Sequence, residues 1–243
     1  MRRVAIIIPA RFGASRLPGK PLADIHGKPL LAHVVERARA ASGIDVLVVA
    51  TDDERIAVAA RAAGAEVIVT GPAETGTDRV AMAARVMLPR PTMVVNLQGD
   101  EPLIEPAAIE ALLHAMDEGG TEMATLARPL DEGEWCRPEV VKVVTDHAGH
   151  ALYFSRACIP ARPDGTPSPL ARAHVGMYAF TAAFLERFAS LTPGRLEREE
   201  RLEQLRALEH GFRIRVVDTR YSGFGVDTLQ DLERARALVA AGR

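Results

Sequence analysis

Residues 4–9 read Val-Ala-Ile-Ile-Ile-Pro, apolar at every position. A strand with one face in water alternates polar and apolar side chains, so an unbroken apolar run marks a strand covered on both faces, as in a parallel sheet flanked by helices. The segments that follow extend this reading. Leu30, Leu31, Val34, Val35 and Ala38 recur at helical spacing after Pro29, and Gly43 ends that stretch. A second apolar run covers 46–50, a helix is expected over 53–63 with Gly64 closing it, and a strand over 66–70. A helix over 77–88 and a strand over 93–97 complete a βαβα order. That order predicts an α/β chain with a Rossmann-like, mostly parallel sheet and helices on both faces.

From about Thr121 the rhythm changes. Strand-like runs at 123–128, 140–145, 151–155 and 177–180 follow one another without a helix of useful length between them. Residues 121–180 are therefore expected to form an antiparallel subregion of a single domain spanning 1–243, and a candidate dimer surface. Residues 162–169 hold three prolines and a glycine and read as a mobile loop. Helices are expected at 182–190 and 196–210, a strand at 212–218 and a closing helix at 228–240.

Composition removes several functions. With 48% apolar residues the chain can offset its conformational entropy, which excludes disorder. A net charge of −2 and a pI of about 6.4 argue against nucleic-acid binding, as does an aromatic content of 5%. The apolar runs are far shorter than the roughly 20 residues that span a bilayer. The short apolar stretch after Met-Arg-Arg has no small-residue cleavage site behind it, so a cytoplasmic protein is expected. Cys136 and Cys158 have neither a Cys-x-x-Cys spacing nor histidine partners, which speaks against a disulfide framework or a zinc site.

Ligands in open α/β sheets lie beyond the carboxyl ends of the strands. After the first strand comes Ala10-Arg-Phe-Gly-Ala-Ser-Arg-Leu-Pro-Gly-Lys20-Pro, with two glycines and three cations that suit phosphate. Five residues separate Gly13 from Gly19 and Pro21 replaces a hydroxyl, so the loop is not a P-loop. Only three of the 30 basic residues are lysines, and two of them, Lys20 and Lys28, fall here. Lys20 is placed to meet phosphate, whereas Lys28 covers the start of a helix. Asp100 follows the strand at 93–97 beside Gly99, and Asp227 stands in Gly223-Phe-Gly-Val-Asp227-Thr. Each aspartate reads equally as a magnesium ligand or as a cap or turn residue, and Asp227 could cap the helix beginning near Thr228. With the cationic loop they make up the set that phosphoryl or nucleotidyl transfer requires.

Ten segments carry a resemblance: Ile6-Ile-Ile-Pro-Ala-Arg11, Ser15-Arg-Leu-Pro-Gly-Lys-Pro-Leu22, Gly27-Lys-Pro, Ala50-Thr-Asp52, Gly76-Thr-Asp-Arg79, Val95-Asn-Leu-Gln-Gly-Asp-Glu-Pro102, Val141-Lys-Val-Val144, Ala151-Leu-Tyr-Phe-Ser-Arg156, Leu202-Glu-Gln-Leu-Arg206 and Gly225-Val-Asp-Thr228. Together they resemble the 3-deoxy-manno-octulosonate (Kdo) cytidylyltransferases, from residue 6 to residue 228. The opening loop alone indicates the wider sugar nucleotidyltransferases, and the Tyr-Phe-Ser-Arg and Leu-Glu-Gln-Leu-Arg segments narrow the resemblance to Kdo.

The resemblance implies that Arg11, Arg16 and Lys20 meet the phosphates of CTP, and that Pro9, Ala10, Gly76, Thr77 and Arg79 meet the nucleoside, with Gln98 beside the nucleotide. It implies Mg²⁺ on Asp100 and Asp227. Gln98, Arg156, His174, Tyr178, Glu203 and Gln204 would face the acidic sugar, His174 being open to a purely structural role as well. Asp78 stands where the family usually has glutamate, and Arg172-Ala-His174-Val-Gly-Met-Tyr is looser than the family pattern. The implied reaction is in-line attack of the Kdo anomeric hydroxyl on the α-phosphate of CTP, assisted by Mg²⁺, with Lys20, Arg11, Asp100 and Asp227 as the catalytic set. It releases pyrophosphate and yields CMP-Kdo for lipopolysaccharide synthesis, in a homodimer that binds neither nucleic acid nor membrane. The alternatives are an amino-Kdo or sialic-acid-like substrate, and a non-catalytic nucleotide-binding regulator.

Overall fold

The structure is a computed structural model that describes residues 2–13, 17–131 and 133–242. Arg16 lies outside the described residues. The chain divides into two compact units, residues 1–110 with 221–243, and residues 111–220.

The first unit holds β1 (Val4–Ala10), a two-residue hairpin of β2 (Asp24–Ile25) and β3 (Lys28–Pro29), α1 (Leu30–Arg39), β4 (Val46–Thr51), α2 (Glu54–Ala62), β5 (Glu66–Val69), α3 (Gly76–Val86) and β6 (Met93–Asn96). Its four long strands lie in the order β6, β1, β4, β5, all parallel. The unbroken apolar run has the expected cause: Val4, Ala5, Ile6, Ile7 and Ile8 are wholly buried. Each large aliphatic side chain so buried contributes about 1.5–3 kcal/mol. Because the chain steps outward from β1 to β4 and β5 and then returns to β6 on the other side, connections diverge at the carboxyl ends of β1 and β6. That divergence is where a doubly wound sheet opens a crevice.

The chain crosses into the second unit within α4 (Pro106–Asp117). No element was expected at 106–117. Its sequence, Pro-Ala-Ala-Ile-Glu-Ala-Leu-Leu-His-Ala-Met-Asp, is apolar on nearly every side, so no periodicity stands out, although Pro106 at its first position was a start signal. The second unit continues with β7 (Met123–Pro129), β8 (Lys142–Thr145), β9 (Ala151–Ser155), β10 (Arg172–Thr181), α5 (Ala182–Ser190), α6 (Arg195–Glu200), α7 (Leu205–Glu209) and β11 (Arg215–Asp218). Pairings of β10 with β7, β10 with β8 and β8 with β9 are antiparallel, as expected, and β11 joins β7 in parallel. Strand β10 is longer than the expected 177–180. Its first half alternates buried Ala173 and Val175 with Arg172, His174 and Gly176, a period-two pattern hidden by the polar partners.

The single helix expected over 196–210 is two. Arg201 takes a left-handed φ of 54° between α6 and α7. In one continuous helix, positions 197 and 206 would be two and a half turns apart and face opposite ways. The break lets the buried Arg206 guanidinium fold back on Glu197, with Nη2 2.6 Å from Oε1 and Nε 3.0 Å from Oε2. The last helix, α8 (Leu229–Ala240), belongs to the first unit. Among the described residues no helix is long and apolar enough to cross a membrane.

Candidate active site

The loop after β1 is shaped by Gly19, whose φ of +71° favours glycine and whose added Cβ would meet the Phe12 ring at 3.0 Å. A single 3₁₀ turn, Lys20–Leu22, follows with Pro21 in it. This turn holds Lys20 so that Nζ donates to Asp100 Oδ2 at 2.6 Å and to Asp227 Oδ1 at 3.0 Å. Burial pulls the Lys20 ammonium down, but the charges and hydrogen bonds of Asp100 and Asp227 outweigh it and hold it above the ordinary lysine value.

Each carboxylate is placed by its own backbone. Asp100 follows Gly99, where a side chain would press Ile8 Cγ2 and the Pro9 carbonyl at 3.2 Å, so glycine lets the β6 loop lie on the end of β1. Val226 N donates to the Asp100 carbonyl at 2.9 Å and brings the Asp227 segment alongside. The cap of α8 is Thr228, in a capping box with Asp231, and not Asp227. The Asp227 carboxylate pairs instead with Lys20, which removes the capping reading of that residue. Behind the pair, the wholly buried Tyr221 hydroxyl donates to Glu101 Oε2 at 2.9 Å. Burial, and then the charge of Asp100, push the Glu101 carboxyl up to about 7 against the opposing Tyr221 hydrogen bond.

The cleft beside these groups has a volume of about 280 Å³. Pro9, Ala10, Arg11, Lys20, Gly76, Arg79, Gln98, Asp100 and Asp227 line it, so most residues expected on the nucleotide side converge on one wall. The amino end of α3 reaches it at Gly76, the end of a helix whose dipole suits an anion. Asp78 serves as the acidic partner of Thr75 in the capping box of α3, so the shorter carboxylate there has a structural partner. Thr77 is buried, its Oγ1 accepting from Asn96 Nδ2 at 3.1 Å. Arg79 is buried too, with Nη2 2.7 Å from Asp52 Oδ2 and Nη1 on Thr70 Oγ1 at 2.5 Å. Asp52 and Thr70 were not singled out as site residues. Their signal was position, since Asp52 directly follows β4 and Thr70 directly follows β5.

Five of the residues expected on the sugar side fall in the second unit. Arg156 Nε donates to the Glu200 carbonyl at 2.8 Å and Nη1 to the Pro138 carbonyl at 3.0 Å. His174 Nε2 meets Thr125 Oγ1 at 2.9 Å, and the Thr125 hydroxyl donates to the Met177 carbonyl at 2.8 Å. With that hydrogen spent, Thr125 accepts from His174 Nε2–H and leaves Nδ1 bare in the neutral ring. Burial lowers the His174 pKa to about 3. The His174 and Tyr178 rings are 5.5 Å apart, and burial followed by the Glu203 charge raises the Tyr178 hydroxyl well above its usual value. Gln204 is 4% exposed, and its amide nitrogen has no hydrogen-bond partner among the described residues. A buried donor without an acceptor in the protein is costly, and a ligand or an ordered water can meet it.

Among the described residues no three histidine, cysteine or carboxylate side chains cluster as a metal site. The pair Asp100 and Asp227 nevertheless fits Mg²⁺, since two carboxylates already converge on one cation and magnesium commonly takes one or two carboxylates with substrate phosphates.

The sequence matches the family profile described as cytidylyltransferase over residues 5–214. It is 72% identical over 242 residues to a 3-deoxy-manno-octulosonate cytidylyltransferase from Anaeromyxobacter sp. (strain Fw109-5), covering 100% of this chain and 99% of that one. An 8-amino-3,8-dideoxy-manno-octulosonate cytidylyltransferase from Shewanella amazonensis is 48% identical, over 95% of this chain and 96% of that one. The solved structure of a CMP:2-keto-3-deoxy-manno-octonic acid synthetase complexed with CTP is similar with a TM-score of 0.93 and 42% identity, covering 99% of this chain and all of that one.

Proposed function

The chain belongs to the cytidylyltransferase family, and from that footing we propose that it transfers CMP from CTP to 3-deoxy-D-manno-octulosonate, releasing pyrophosphate. The observation that carries this reading is Lys20 bridging Asp100 and Asp227 at the carboxyl ends of β1 and β6, beside a cleft lined by Arg11, Gly76, Arg79 and Gln98. The relatives named for Kdo at 72% identity, against 48% for one named for the 8-amino sugar, favour Kdo over the amino-substituted substrate. The intact Lys20, Asp100 and Asp227 speak for catalysis over a silent regulator.

The Kdo anomeric hydroxyl attacks the α-phosphorus in line. An O–P bond forms, the bond from the α-phosphorus to the oxygen bridging to the β-phosphate breaks and pyrophosphate leaves, and the hydroxyl proton passes to solvent. Arg11 and Lys20, which line the cleft, are the groups to neutralise charge that grows on the leaving pyrophosphate, and Arg16 joins them by the resemblance. Lys20 serves both partners by exchange, since an ammonium on a flexible stem can pass from carboxylate to phosphate. Asp100 and Asp227 are the residues to hold Mg²⁺. When bound, that ion supplies Lewis acidity toward the phosphate and eases loss of the hydroxyl proton. Gly76, Thr77 and Arg79 position the nucleoside with the Pro9 and Ala10 backbone. Arg156, His174, Tyr178, Glu203, Gln204 and Gln98 serve the acidic sugar, the unpartnered Gln204 amide being the direct support.

The enzyme is further proposed to be a cytoplasmic homodimer. In support, among the described residues β9 is paired along its length with β8, meets the chain at Ile214 only through its first residue Ala151, and leaves Leu152 61% exposed, within the stretch expected to dimerise.

Asp100→Ala tests the assignment by pyrophosphate release from CTP with Kdo and Mg²⁺. Turnover is expected to fall roughly 10²- to 10³-fold, the usual cost of one preorganised contact to developing charge. Unchanged turnover would remove Asp100 from the mechanism.

A further inference from the structure

The sulfurs of Cys136 and Cys158 lie 3.3 Å apart, and neither is in a disulfide. The fold creates this approach. Strands β8 and β9 pair antiparallel with Lys142 opposite Ser155, so the segment entering β8 and the segment leaving β9 emerge from one end of the hairpin. Lys142 ties them there. Its wholly buried ammonium donates to the carbonyls of Arg137 at 2.9 Å, Val140 at 2.7 Å and Arg156 at 2.7 Å, two on Cys136's side and one on Cys158's. The sulfurs are held in contact by a buried charge, need about 1.3 Å of further approach to bond, and Cys136 is exposed to solution.

We propose that Cys136 and Cys158 are a site of reversible oxidation, closing as an intramolecular disulfide when the enzyme meets hydrogen peroxide. One thiol loses its proton and attacks a peroxide oxygen; the O–O bond breaks, giving a sulfenic acid and water. The second thiol attacks the sulfenic sulfur, the S–O bond breaks and a second water leaves, so two thiols and one peroxide yield one disulfide and two waters. A dithiol reductant reverses the bond by exchange. The hydrogen bond with Cys158 and then burial hold the Cys136 thiol above its ordinary value, and the nearby Lys142 ammonium offsets part of that rise. Cytoplasmic disulfides are of this transient kind rather than structural.

The pair also bears on Arg156. That residue lies two positions before Cys158, and its guanidinium reaches the Pro138 carbonyl, two positions after Cys136. Resting on the reading of Arg156 as a sugar-side residue, oxidation is expected to change KM for Kdo and leave KM for CTP unaltered.

The test treats the native enzyme with limiting hydrogen peroxide. Both thiols react with a thiol reagent before treatment and neither after it, the intact mass falls by about 2 Da, and dithiothreitol restores both values. Cys136→Ser and Cys158→Ser each abolish the 2 Da loss. Gain of about 16 Da per oxygen without that loss, or covalent dimers in its place, would overturn the pairing. A disulfide that forms and leaves KM for Kdo unchanged would confirm the pairing and overturn only its link to Arg156.

Discussion

Lys20 and Lys142 are both withdrawn from water, and their surroundings are opposite. Lys20 meets two carboxylates, while Lys142 meets three neutral backbone carbonyls. The carboxylates hold the Lys20 ammonium above its ordinary pKa against the pull of burial, whereas burial wins at Lys142 and lowers it. A charge that rests on other charges can trade them for a polyanion at little net cost. A charge caged by carbonyl dipoles cannot leave without stripping three part-buried acceptors of their partner. The first arrangement suits a group that handles phosphate, and the second suits a group that holds loops together.

Replacing each lysine by methionine should separate the two roles. Lys20→Met is expected to cost roughly 10²- to 10³-fold in kcat/KM for CTP. Its carboxylates then face each other without a counter-ion, so the variant should melt lower than wild type, and Mg²⁺ should raise its Tm more than it raises that of wild type. Lys20→Arg should not restore activity, because a planar fork does not fit a place made for a compact charge. Equal kcat/KM for wild type and Lys20→Met would place Lys20 beside Lys142 as a structural cation.

Lys142→Met should leave CTP binding, measured by calorimetry, near the wild-type value and take stability instead. Losing the partner of three part-buried carbonyls costs on the order of 3 kcal/mol, read from urea unfolding. A loss of nucleotide affinity at unchanged stability would invert the comparison.

How much of this was legible in the sequence follows the same division. The parallel sheet showed in the unbroken apolar runs, and the cationic loop, Asp100 and Asp227 showed because they directly follow strands or a glycine turn. The roles of Lys142 and Arg206 were hidden, since both stood in motifs without any sign that their partners are backbone carbonyls and a carboxylate reached by breaking a helix at Arg201. The Tyr221 to Glu101 hydrogen bond was equally hidden, joining positions 120 residues apart. Local pattern reports periodicity and strand ends, whereas long-range pairing depends on topology that no window contains.

His174 meets burial differently again: among the described residues no anion holds its charge, so it stays neutral. Its folded pKa of about 3 lies below the unfolded value near 6.5. Between those values the unfolded chain binds the extra proton, so this contribution to stability is complete above about pH 6.5 and is lost as pH falls toward 3. The slope has a ceiling of about 1.4 kcal/mol per pH unit, and the part of the ring that remains exposed sets it lower. Urea unfolding at pH 7.5 and pH 5.0 should show the decline, and His174→Gln should remove this residue's share. An identical decline in the variant would mean that other groups carry it.

Lys28 completes the series as the lysine that water already satisfies. It precedes α1, and Nζ lies 2.7 Å from Glu36 Oε1, with the two side chains 52% and 49% exposed. Pairs of this kind stabilise by about 0–1 kcal/mol because solvent screens the attraction and two long side chains lose freedom to make it. Lys28→Ala should therefore change stability by less than about 0.5 kcal/mol, with kcat/KM for CTP unaltered. The effect should shrink further at 0.5 M salt, as it does for any exposed pair. Its place among the segments that resemble the family makes the measurement worth having. A loss of CTP affinity in Lys28→Ala would show that a lysine outside the cleft still steers the nucleotide, and that partner charge alone does not sort the three lysines by role.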